Sequence, residues 1–241
     1  MPGRPDASTL VAVTLAEMQG DLEAALQVTN EANVVGAAAV GDGAYPGAED
    51  ALVHGVIAAQ SEVRELGFAQ VGIGFNWAYA SDADEHAFWT RLNRLGGPAF
   101  RRSLDWVGLD VYPETWGPRA SGGDLSSSVR ATIIDALGAL RRLMGLAALP
   151  PTVPLHVCEN GYPTGPGRTD AMQVTAMTAA ITALNAHRAR YLVTDYRWFD
   201  LRDADSANTS FESQYGLLRD DYTPKPAFAV FADLVSSLGA P

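Results

Sequence analysis

The chain has 241 residues, 47% of them hydrophobic and 19% charged, a globular balance with enough material for one large α/β domain. A formal net charge of -11 argues against nucleic acid or an anionic membrane as partner. The single cysteine, Cys158, permits no intrachain disulfide, and no apolar run is long enough to span a membrane. Residues 8–24 read as a helix broken near Gly20, with a strand at 25–31 after it. Residues 48–66 read as a helix, with Leu52, Val56, Ala59, Val63 and Leu66 at helical spacing and Gly67 as its stop. A strand follows at 69–77. Asp82 or Asp84 is placed to cap a helix running to Leu95, with Gly96-Gly97 as its end.

A third strand covers 104–112, closed by Pro113, and residues 114–123 form a loop rich in Gly, Pro and Ser. Residues 124–146 read as a long helix capped by Asp124 or Ser126. The fourth strand is 153–159, the next helix 169–188, and the fifth strand 190–199. A polar loop covers 200–223, and a last helix begins at Pro224, where a missing N–H is tolerated. Alternating strands and helices with long crossovers predict an α/β fold with a parallel sheet covered by helices, as one domain over 1–241. The strand interiors are apolar on both faces, as such a sheet requires.

Two of these strands end on a carboxylate flanked by asparagine: Asn30-Glu31 and Glu159-Asn160. Two carboxylates at strand ends are what hydrolysis of a glycosidic bond requires. With the groups about 5–5.5 Å apart, one attacks and the other serves as acid and then base. Their proximity would raise the acid's pKa and keep it protonated. Each glutamate also has a plainer alternative, as a turn carboxylate without chemistry. The histidines His54, His86, His156 and His187 lack metal-site spacing, so no metal is expected. Alternation counted back from Glu159 sends His156 and Cys158 outward to the helices. Asp200, Asp203 and Asp205 could form a calcium cluster, but a solvated acidic loop is the expectation. Gly72-Ile73-Gly74 lies inside a strand and lacks the third glycine and the helix of a dinucleotide-binding turn.

QVTNEAN at 27–33, DWVGLDVYPETW at 105–116, PLHVCENGYPT at 154–164 and DYRWFDLRDADS at 195–206 together resemble the catalytic strands of retaining glycoside hydrolases. The family resembled is the clan of (β/α)8, or TIM, barrels with catalytic glutamates on strands four and seven. The tail YGLLRDDYTPKPAF at 215–228 resembles that clan's segment after strand eight. The resemblance implies Glu31 as acid/base and Glu159 as nucleophile. It implies Asn30 as a contact to the sugar 2-hydroxyl, Tyr112 as a hydrogen-bond donor to the nucleophile, and Trp198 as an aromatic floor. Asn76, Trp77 and Asn160 fall at strand mouths, where barrel enzymes bind ligands. A β-glycoside is the implied substrate, with no cofactor.

On this alignment the chain holds strands four to eight only, a partial barrel without counterparts of the clan's strand-two arginine or strand-three residues. The chain is then a piece of a longer protein, a natural partial barrel, or one that hides a further strand at Thr9–Thr14. An open sheet exposes its edges, so a homo-oligomer or a completing partner chain is expected. The alternative function is an inactive partial barrel that binds carbohydrate or needs such a partner. Met1–Asp6 lacks the apolar core of a signal peptide, which reads as cytoplasmic as written, or secreted if the natural beginning lies elsewhere.

Overall fold

The computed structural model describes residues 24–36, 40–79, 84–116 and 124–238. The helix read over 8–24, the alternative strand at 9–14 and Asp82 lie outside them. Strands and helices alternate as β1 (Ala24–Gln27), α1 (Ala48–Glu65), β2 (Val71–Ala78), α2 (Glu85–Arg102), β3 (Trp106–Val111), α3 (Leu125–Leu146), β4 (Leu155–Asn160), α4 (Asp170–Tyr191), β5 (Val193–Tyr196) and α5 (Pro226–Leu238). The five strands form one parallel sheet in chain order with flanking helices, an α/β fold of partial TIM-barrel type. The described residues contain no helix long and apolar enough to cross a membrane.

The helix caps follow the sequence chemistry. Asp84 accepts from the Ala87 N–H at 3.0 Å, Asp124 from Ser127 at 2.8 Å and Thr169 from Met172 at 3.2 Å. The expected stop at Gly96-Gly97 is a kink instead. Gly97 takes φ 51° and the helix resumes through Pro98 to Arg102, because a proline is tolerated where a helical turn begins afresh. The fifth strand is shorter than read, since Arg190 and Tyr191 continue α4 until Leu192 turns left-handed at φ 50°.

Two compact units share the strands. One comprises residues 1–108 and 140–156, the other 109–139 and 157–241. In the first unit, Phe75 and Trp77 on β2 meet the aromatic side of α2. Phe75 lies 5.7 Å from Trp89 and 6.1 Å from Phe100, and Trp77 lies 6.4 Å from Trp89. The opposite face of β2 carries Gly72 and Gly74, and the Trp106 indole lies across them. Its Nε1 donates to the Gly72 carbonyl at 3.1 Å, and a Cβ on Gly74 would sit 2.2 Å from the ring. The glycine pair is therefore a seat for an indole.

His156 stacks on the other side of Trp106, centroids 4.6 Å apart and planes 9° from parallel. This corrects the expectation that His156 faces the helices: it stands on the glycine-lined face. The ring is held there by its stack on Trp106, which lies across the glycines of β2. Asp105 fixes the entry to β3, accepting from the Ile73 N–H at 2.8 Å and from Gln60 Nε2 at 3.1 Å.

In the second unit, α4 buries Ala176, Met177, Ala179, Ala180, Ala183 and Leu184. The 200–223 loop is anchored by fully buried Lys225. Its Nζ donates to Asp203 Oδ1 at 2.7 Å, Thr164 Oγ1 at 2.9 Å and the Gln214 carbonyl at 3.1 Å. Burial holds the ammonium pKa below its ordinary value, opposed by the Asp203 carboxylate. Asp200 and Asp205 accept instead from the nearby backbone N–H groups of Arg202 and Ala207. Among the described residues these three aspartates form no metal-holding cluster.

Gly74→Ala is expected to force the Trp106 indole aside and to cost about 1–3 kcal/mol, the usual penalty of overpacking. Urea denaturation checks it, and an unchanged midpoint would contradict this account of the glycine pair.

Candidate active site

The chain leaves β1 through a tight turn. Thr29 and Glu31 both take positive φ, 65° and 46°, so Glu31 stands in the turn rather than on the strand. Such backbone is costly for residues with a Cβ and must be held by its surroundings. Asn76, near the end of β2 and wholly buried, supplies much of that hold. Its Oδ1 accepts from the Glu31 N–H at 2.9 Å, and its Nδ2 donates to Asn30 Oδ1 at 2.9 Å. Asn30 is held again by its backbone, which donates to Asp42 Oδ2 at 2.7 Å and accepts from the Asp42 N–H at 2.8 Å. Its Nδ2 donates to the Val40 carbonyl at 3.0 Å. Glu31 is buried, 7% exposed as a residue.

Two residues here escaped the sequence reading. Asn33 exchanges hydrogen bonds with the backbone of Ala78 (3.0 and 2.8 Å) and donates to Glu85 at 2.9 Å. Asp42 is the second. Asn33 closes the motif Asn30-Glu31-Ala32-Asn33, and that repeated asparagine was the available signal. Trp77, expected at the strand mouth, is 1% exposed; it packs on Trp89 and donates Nε1 to Glu85 at 2.5 Å. It shares the helix-facing side of β2 with Phe75, two residues earlier.

In the second unit, the end of β4 carries Glu159 and Asn160. The Tyr112 hydroxyl donates to Glu159 Oε2 at 2.6 Å. Burial, reinforced by the Glu159 charge, pushes the Tyr112 pKa far above the ordinary phenol value, so it remains a donor. Asn160 is 1% exposed and joins three strands. Its Nδ2 donates to the Val111 carbonyl at 2.7 Å, its Oδ1 accepts from Tyr196 Oη at 3.0 Å, and its carbonyl accepts from the Phe199 N–H at 2.8 Å. Gly161 is required next, because a Cβ there would lie 2.3 Å from the Phe199 carbonyl oxygen.

Trp198 packs against an apolar cluster of Met177, Leu217 and Ala227. The aromatic side chain beside Tyr112 is its neighbour Phe199, edge-on at 5.9 Å, with Tyr215 at 5.4 Å from Tyr112 and 5.5 Å from Phe199. The Phe199–Asp200 peptide is cis. Phe199 is 39% exposed. Burial also raises the Cys158 thiol pKa, leaving it protonated and inert.

Glu31 thus stands in the turn after β1 in the first unit, and Glu159 near the end of β4 in the second. Asn30 and Asn76 come together with Glu31, and Tyr112 and Asn160 with Glu159. Trp77 and Trp198 are turned into apolar packing.

No family model and no curated protein matches the chain. Solved structures do. A β-glucuronidase from an uncultured Clostridium sp. matches 95% of this chain with TM-score 0.61 and 13% identity. A β-glucosidase from Exiguobacterium marinum matches 97% with TM-score 0.62 and 15% identity. An active-site mutant of a β-1,3-glucanosyltransferase from Rhizomucor miehei, in complex with laminaritriose, matches 93% with TM-score 0.55 and 16% identity. The chain spans 35% of the glucuronidase, 68% of the glucosidase and 71% of the transferase.

Asn76→Ala removes both contacts to the Asn30-Glu31 turn. The expected cost is about 1–3 kcal/mol of stability, from buried polar groups losing a partner. A urea midpoint equal to that of the parent would contradict the role given to Asn76. At these identities the likeness is one of fold: the chain carries, over five strands, the α/β partial-barrel fold of these glycoside hydrolases.

Proposed function

We propose that the chain is a retaining glycoside hydrolase acting on β-linked sugars by double displacement. The observation that carries this reading is the 2.6 Å hydrogen bond from Tyr112 to Glu159 at the end of β4. A donor held protonated by burial fixes one carboxylate oxygen and leaves the other for attack. On this reading Glu159 bonds to the anomeric carbon as the bond to the leaving oxygen breaks, and Glu31 gives that oxygen its proton. Water then attacks the same carbon, Glu31 takes the proton, and the ester to Glu159 breaks. Asn76 positions Glu31 by holding its backbone and the Asn30 amide. Phe199, exposed beside Tyr112, offers the aromatic face first assigned to Trp198. The names of the structural neighbours, a glucuronidase, a glucosidase and a β-1,3-glucanosyltransferase, support β-glucosides and β-glucuronides as the first substrates to try. The reaction calls for no cofactor.

A second reading has an observation of its own. β5 is an outer strand of the sheet, and beside it lies a groove of about 310 Å³ lined by Val193, Phe231, Leu234 and Val235. On that reading the strand ends bind carbohydrate, and turnover needs a second chain at the open edge.

Aryl β-glucosides and β-glucuronides test both readings. Hydrolysis is expected to fall to background in Glu159→Gln. In Glu31→Gln it is expected to fall by about 10²–10⁴-fold, the usual worth of a general acid, and least for the best leaving groups. Turnover unchanged in Glu159→Gln would overturn the hydrolase assignment. Specific activity that rises with protein concentration would favour the second reading.

A further inference from the structure

The backbone of Tyr215 is gripped on both sides by one buried ion pair. An ammonium carries three N–H groups, and those of Lys225 meet three oxygens: Asp203 Oδ1, Thr164 Oγ1 and the Gln214 carbonyl. Asp203 Oδ1 accepts in turn from the Gly216 N–H at 2.8 Å. The Gln214 carbonyl belongs to the peptide before Tyr215 and the Gly216 N–H to the peptide after it, so the pair holds both. The approach is close: a Cβ on Gly216 would lie 2.1 Å from the Asp203 nitrogen. The Lys225 N–H adds a bond to the Leu217 carbonyl at 2.9 Å.

The ring so held is buried, and it lies edge-on to Tyr112 at 5.4 Å and to Phe199 at 5.5 Å. Both tyrosine rings close on the backbone just after Glu159. A Cβ on Gly161 would lie 2.9 Å from the Tyr215 ring and 3.2 Å from the Tyr112 ring. Tyr112 donates to Glu159, and the direction of that bond follows from where its ring is packed. Stability alone does not call for the Lys225–Asp203 pair, since apolar side chains of the same volume often serve a buried position as well or better. What an apolar filler lacks is the power to fix a carbonyl and an N–H in direction.

We propose that Lys225 and Asp203 are positioning residues for Glu159: they set Tyr215, Tyr215 sets Tyr112, and Tyr112 orients the carboxylate. The proposal rests on the hydrolase reading for its effect on rate, though not for its effect on Tyr112.

The test pairs a spectroscopic signal with kinetics. The tyrosines are isotope-labelled at the ζ carbon and observed by NMR, the Tyr112 signal being the one lost in Tyr112→Phe. Asp203→Asn combined with Lys225→Met removes the pair without leaving a buried charge alone, and the asparagine oxygen can still accept from Gly216. The Tyr112 signal is expected to move, and kcat on aryl β-glycosides to fall about 10–100-fold with KM little changed, as small misplacements do. In a Tyr112→Phe background the same double replacement is expected to change kcat by less than about twofold, because the link it acts through is already cut. Thr164→Val takes one oxygen from Lys225 and no charge, and should move the Tyr112 signal by less; it decides the matter if the double variant does not fold. An unmoved Tyr112 signal in the folded variants would overturn the proposal. So would an equal loss of kcat in the two backgrounds, which would mark the pair as structural support only. A Tyr112 signal that moves, in a parent protein without Glu159-dependent turnover, would sustain the placement of Tyr112 and sink the hydrolase assignment.

Discussion

The side-chain amide of Asn160 is the interaction on which the Glu159 region depends. A parallel sheet ends in a row of backbone groups that the ladder no longer pairs, and burying such groups unpaired is costly. Asn160 meets that need across three strands at once. It donates to the Val111 carbonyl at the end of β3, accepts from Tyr196 on β5, and its own carbonyl takes the Phe199 N–H. Because Glu159 is the adjacent residue, the geometry of the carboxylate follows from this clamp, and Tyr112, next to Val111, arrives within reach to donate to it. Asn76 does the corresponding work in the first unit, where it secures a turn that two positive-φ residues would otherwise destabilise.

Asn76 and Asn160 are buried polar side chains near strand ends, and both are hydrogen-bonded there. Lys225 and Asp203 extend the pattern to the loop after β5. An isolated buried ammonium would be severely penalised, but here three oxygens surround it, and Asp203 also accepts from the Gly216 N–H at 2.8 Å. Gln173 on α4 adds a further tie, donating to the Tyr162 carbonyl at 3.0 Å. The loop that carries Phe211 is therefore fastened to rigid elements.

Much of this was legible in the chain. Apolar runs interrupted by Gly, Pro and capping residues marked all five strands and their helices, because burial on both faces leaves a plain signal in composition. The carboxylates flanked by asparagine were visible too, since a strand end that must hold a charged side chain also needs an amide to secure its backbone. What escaped were features decided by three-dimensional packing. His156 follows Trp106 onto the glycine-lined face, a consequence of stacking that no alternation rule contains. Phe199 lies edge-on to Tyr112, while Trp198, one residue earlier, packs against Met177, Leu217 and Ala227. The break at Gly97 became a kink, because Pro98 can begin a turn as readily as Gly97 can end one. Asn33 and Asp42 fasten the segment around Glu31 to partners, Ala78 and Asn30, that lie far along the chain or across a loop.

The central claim is that Glu159 bonds covalently to a sugar. Incubation with 2-deoxy-2-fluoro aryl β-glucoside and β-glucuronide, followed by peptide mass spectrometry, tests it most directly. The account predicts a fluoroglycosyl adduct on the peptide carrying Glu159, absent from Glu159→Gln. An adduct on another carboxylate, or steady hydrolysis of natural-type aryl glycosides with no trapped intermediate on Glu159, would contradict it.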